Sequence, residues 1–179
     1  MNSDNIIAIA LLITSALTSG FFAYMYSLRR QAYLMLWSAG WCLLALHYLT
    51  PALEPWVAVA PWQPAVNQWL LAATALLFFS TAQVYAEAKP WVRPQIAMGA
   101  VFVLWSAAHY LHSVNVSPQL GVAVVLCGAA WVFYQESRRH ETFADLLLAT
   151  SFLSWGAILI GELLFSPRAA DSLRALELV

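Results

Sequence analysis

The chain has 179 residues, of which 62% are hydrophobic and 9% charged, with a mean hydropathy of +0.70. A soluble domain is about half apolar and about a quarter charged, so lipid must be the solvent for much of this surface. Eight Lys+Arg against nine Asp+Glu give a net charge of -1, which offers nucleic acid no basic field. Cys42 and Cys127 sit within apolar runs and suggest neither a disulfide framework nor a zinc motif.

Charged residues cut the sequence into the charge-free stretches Asn5–Leu28, Gln31–Leu53, Pro55–Ala86, Pro94–Gln135 and Leu146–Gly161. Roughly 20 apolar residues cross a bilayer core. The first three stretches therefore hold one span each. The fourth is long enough for two and should turn around Asn115, Ser117 and Pro118. The fifth reaches spanning length once its flanks are included. The expectation is an all-α, polytopic membrane helical bundle of six transmembrane helices, near 6–28, 32–50, 65–86, 95–112, 119–135 and 143–165. All eight prolines then fall in loops or at span ends. An interior proline would free a carbonyl that no water can satisfy.

Lys and Arg set the orientation. Arg29, Arg30, Lys89, Arg93, Arg138 and Arg139 occupy the odd loops, while the N-terminal segment and the even loops lack them. The odd loops should be cytoplasmic and the N-terminus outside. Met1–Asn5 has no positive region of a secretory signal, so the first span should be retained. The membrane domain would cover 1–167, with 168–179 as an amphipathic tail or the start of a linker. Ser166-Pro167 reads as a helix start. Leu173, Leu176 and Val179 then share a face that could lie in the interface or pair two copies. Arg168 and Arg174 fit an outside tail poorly; a seventh span leading back to the cytoplasm would account for them.

Ionisable residues within spans are costly and become functional candidates. His47, His109, His112 and Glu162 all lie near the outer ends of even-numbered spans, which places them in one layer with Glu54, Asn67 and Gln68. Trp105, His109 and His112 form one helical stripe, Trp155, Ile158 and Glu162 another, and Gly40, Leu44 and His47 a third. The expected ligand-binding set is His47, His109, His112, Glu162, Trp105 and Trp155. Each histidine could equally satisfy a headgroup or a neighbouring carbonyl. His47, His109 and Glu162 could in principle hold a metal, and two histidines a haem, but no local metal or haem motif accompanies them. Thr50–Pro64, with four prolines and two tryptophans, reads as either an interfacial lid or a stiff connector.

The stretch Arg29-Arg30-Gln31-Ala32-Tyr33-Leu34, followed by Trp37, Gly40-Trp41 and Ala45-Leu46, resembles the second span of multi-span bacterial membrane input regions. These regions precede diguanylate cyclase (GGDEF) or histidine kinase output domains. Ser151-Phe152-Leu153-Ser154-Trp155-Gly156 and Ser166-Pro167-Arg168 resemble the penultimate span of the same regions. That resemblance implies a sensor, with a further span and the catalytic part beyond Val179. His47-Tyr48-Leu49-Thr50 and His109-Tyr110-Leu111-His112 are similar to the Met-His-Tyr-Thr motifs of MHYT sensor domains. Leu46 and Ala108 replace the methionines, which weakens any implied copper site.

The combined expectation is a non-enzymatic sensory input module in a bacterial inner membrane. It would detect a small ligand, lipid or redox signal at an outward-facing polar pocket and pass it on through helix packing. The partners are then the bilayer, a small ligand and, through the C-terminal helix, a second copy. A pH-sensing version is open, since histidine charge changes near neutrality. The rival classes are a haem- or quinone-binding redox protein and a proton-coupled transporter of a small solute, with a membrane hydrolase the least supported by motif.

Overall fold

The computed structural model describes residues 3–54, 56, 62–87, 92–110 and 118–165, apart from the side chains of 3–4, 92–94, 109–110 and 162–165. All the described secondary structure is helical: α1 (Ser3–Arg29), α2 (Ala32–Leu53), α3 (Gln63–Tyr85), α4 (Val92–Tyr110), α5 (Gln119–His140) and α6 (Phe143–Phe165). Five of these are long and apolar enough to cross a membrane. In α4, the apolar described part is the shorter Gln95–Ala108.

Two helix boundaries differ from the expectation in an informative way. α2 runs on to Leu53 and contains Pro51. Proline tolerates this place because only its own missing N–H and one carbonyl are lost. That carbonyl belongs to His47, four residues earlier. α5 continues past Gln135 to His140, and Arg138, Arg139 and His140 occupy its last turn. Cations there complement the negative end of the helix dipole. The proposed tail helix 168–179 and most of the proposed lid lie outside the described residues.

Short connections dictate the neighbours. Arg30 and Gln31 alone join α1 to α2, and Glu141 and Thr142 alone join α5 to α6, so each pair packs as an antiparallel hairpin. α3 lies between the hairpins, packing on α2 and on α5, and α4 packs on the flank of α3. Arg30, Glu87 and Glu141 adopt left-handed backbone at φ 53, 51 and 54, just after α1, α3 and α5. Each ends its helix by the left-handed capping route, here without glycine.

The core is aromatic. Phe78 on α3 is fully buried and meets Trp37 and Trp41 of α2 at 5.5 Å between ring centroids. It also meets Phe152 of α6 at 5.5 Å and Trp155 at 6.1 Å. Phe133 of α5 stacks on Phe152 at 5.8 Å, and Phe22 of α1 closes against Trp37 at 5.6 Å. Five helices thus converge on one ring cluster. Lipid tails are as apolar as these rings, so shape and dispersion hold the cluster more than escape from the solvent. Gly40 makes room for it: a Cβ there would fall 2.6 Å from the Phe78 ring.

The outer flanks are oily, as lipid contact requires. Ile6, Ile7, Leu17 and Phe21 on α1 are all more than half exposed. α1 is tied to α2 by a polar contact, with the Ser19 hydroxyl donating to the Ser38 carbonyl at 2.9 Å and Ser38 returning the bond at 3.0 Å.

Gly40→Ala should destabilise the bundle by about 1–3 kcal/mol, the usual cost of overpacking, because Phe78 is enclosed on every side. Thermal unfolding in one fixed detergent checks this, and an unchanged midpoint would mean that the ring can move aside.

Candidate functional site

Polar groups concentrate at the two ends of the bundle. At one end the antiparallel pairing of α2 with α3 sets His47 beside the start of α3. Its Nδ1 lies 3.0 Å from the backbone carbonyl of Asn67. A carbonyl can only accept, so Nδ1 carries the proton and Nε2 keeps its lone pair. That is the form in which a histidine accepts a donor or binds a metal. The Asn67 side chain also lies against the His47 ring, while its Oδ1, Trp41 Nε1 and the Ser106 hydroxyl are buried without a well-formed hydrogen bond among the described residues. Unmet buried polar atoms are costly in a protein interior, and here a ring nitrogen of His47 and the amide of Asn67 stand side by side on adjoining helices.

The expected site residues divide as follows. His47 makes the contact just described. Two contacts set the α3–α4 register: Gln95 donates to Gln83 at 2.7 Å, and a Cβ on Gly99 would meet Leu76. Carried along the antiparallel helices, that register brings position 109 to about the level of Asn67. The His109 and Glu162 side chains and the whole of His112 lie outside the described residues. Trp155 belongs to the aromatic core against Phe78. Trp105 instead stacks on Phe102, with 6.5 Å between centroids and 13° between planes.

Phe102 and Trp105 form one wall of a cleft of about 430 Å³ between α4 and α5. Its other walls include Met98 and Val101 from α4 and Gly121 and Val124 from α5. Every residue lining it is apolar. The helices touch where Gly121 meets the Phe102 ring; a Cβ at 121 would lie 2.6 Å from that ring and 3.1 Å from Trp105. This volume is within the range of small-molecule sites.

The opposite end carries buried charge that the sequence reading passed over. Asp145 is 2% exposed and Glu136 7%. The Thr142 hydroxyl donates to Asp145, and Thr142-x-x-Asp145 is the spacing of a reciprocal helix cap. The Tyr85 phenol of α3 also hydrogen-bonds Asp145, and Tyr33 of α2 packs on Tyr85 edge to face at 5.4 Å. Glu136 pairs with His140 at 2.9 Å and with Arg139 at 3.5 Å. The capping pattern and the i, i+4 Glu–His spacing were the available signals; both look like ordinary surface features until α3 covers them. Among the described residues no three His, Cys, Asp or Glu side chains converge as a metal site.

No protein-family model, curated protein or solved structure matches this chain.

Removing the acceptor at the charged end should be felt in stability. Asp145→Ala removes the acceptor shared by the Thr142 hydroxyl and the Tyr85 phenol; both donors are exposed enough to turn to water, so the loss should be about 0.5–1.5 kcal/mol. Tyr85→Phe in that background should then cost almost nothing further, a coupling that a double-mutant cycle of thermal stability reads directly.

Proposed function

We propose that the chain is a sensory input module of a bacterial inner membrane, crossing the bilayer six times with its N-terminus outside. α4, from Val92 to Tyr110, is about 28 Å long at the helical rise, close to the hydrocarbon thickness. Lys and Arg flank the odd connections, which supports a cytoplasmic charged end, with His47 and Asn67 towards the outer headgroups in this reading.

The observation that carries the reading is the His47–Asn67 contact. A histidine with its proton held towards one helix, set against an amide whose oxygen is buried without a well-formed hydrogen bond among the described residues, is suited to a ligand that donates hydrogen bonds. The contact joins α2 to α3, and α3 packs on α2, α4 and α5. A donor captured there would alter how α2 sits on α3 and thereby bias the packing of the bundle. Such a module needs two packings a few kcal/mol apart and a ligand that prefers one of them. His109, His112 and Glu162 are proposed to complete the ligand's surroundings, with Trp105 and Trp155 beneath them, and a homodimer through the C-terminal segment to relay the change.

Two measurements test this. In a background lacking both native cysteines, Glu54→Cys should react with an impermeant thiol reagent in intact cells, and Arg139→Cys only after permeabilisation. The reverse pattern overturns the topology. Spin labels at positions 28 and 134, on α1 and α5 near the charged end, should give two distance populations in liposomes. His47→Phe should shift their ratio, whereas one unchanged distance in both proteins would exclude signalling through this contact.

A further inference from the structure

A second site lies on the other side of α3 and stands apart from the signal-input reading. We infer that the cleft between α4 and α5 is a resident binding site for one acyl chain of a bilayer phospholipid.

The cleft opens sideways between two apolar helices, along the half of α5 that begins at Gln119 and the middle of α4. At that depth the surroundings are hydrocarbon. Water is a poor occupant, because a buried water needs two to four polar partners and the lining supplies apolar side chains. An empty cleft is unfavourable too, because its walls forfeit their dispersion contacts. A transmembrane helix from a second copy is about 10–12 Å across, too thick for a recess of about 430 Å³. A flexible hydrocarbon chain is thin enough, matches the lining chemically and is present at high concentration.

What separates this recess from ordinary lipid contact is its shape. A convex helix touches a neighbouring chain on one side, whereas the cleft offers walls from both helices. One of them is the near-parallel pair of rings Phe102 and Trp105. Gly121 leaves room for that wall, since a Cβ there would fall 2.6 Å from the Phe102 ring and 3.1 Å from Trp105. Val124, 65% exposed, lies on the open edge. A larger side chain at 124 can fill the recess without entering the core.

The full chain would be reconstituted in phosphatidylcholine vesicles containing a trace of phosphatidylcholine with a diazirine midway along one acyl chain. After irradiation, label is mapped by peptide mass spectrometry. Peptides bearing 97–105 and 120–125 should carry several-fold more label than the equally lipid-facing α1 segment 6–17. Val124→Trp should reduce cleft labelling to the α1 level while leaving α1 labelling and thermal stability unchanged. Equal labelling of cleft and α1 in the unaltered protein would mean ordinary lipid contact only, and would overturn the proposal. Excess labelling that persists in a stably folded Val124→Trp protein would overturn it equally, since the chain would then be bound elsewhere.

Discussion

The bundle depends on the seating of Phe78 against the bare backbone of Gly40. With no side chain on Gly40, α2 and α3 approach closely enough for the ring to reach Trp37 and Trp41, and from there Phe152 and Trp155. In a bilayer the solvent does not drive helices together, so close steric fit must do what water exclusion does in a soluble core. A single ring touching side chains from two other helices, with Phe133 and Phe22 one contact further out, gives that fit a centre. The α1–α2 and α5–α6 hairpins, joined by two-residue turns, hang from it.

Around this centre the described ionisable groups stand towards the ends, and the two ends differ. At the charged end each buried carboxylate has partners: Asp145 takes the Thr142 cap and the Tyr85 phenol, and Glu136 takes His140 and Arg139. This is the arrangement that makes buried charge tolerable. At the His47 end the satisfaction is incomplete. Pro51 withdraws the usual donor from the His47 carbonyl, and Asn67 Oδ1 is buried against the His47 ring without a well-formed hydrogen bond among the described residues. One end is built as a clasp; the other leaves polar atoms less completely paired among the described residues.

α4 is the helix least absorbed into the aromatic centre. It is attached to α3 through Gln95–Gln83 and touches α5 at Gly121, leaving the apolar cleft beside that contact. The asymmetry has a sequence root. α2, α3, α5 and α6 all send large rings inward at the same level, whereas the rings of α4, Phe102 and Trp105, stack on one another and face α5.

Hydropathy and charge spacing were enough to place all six helices, because a chain in lipid must satisfy its backbone internally and has only the helix to do it with. That His47 and Asn67 share one end of the bundle could also be read from helix direction; their contact could not. Which tryptophan does what could not: Trp105 and Trp155 look alike in sequence, yet one lines a cleft and the other packs on Phe78, because that depends on which neighbour α4 and α6 each receive. The buried state of Asp145 and Glu136 was hidden for the same reason, since residues at the tip of a hairpin read as solvated until α3 lays Tyr85 across them. Solvent and chain direction are local properties written along one strand of residues; enclosure is a property of the helices that happen to stand alongside, and only their assembly decides it.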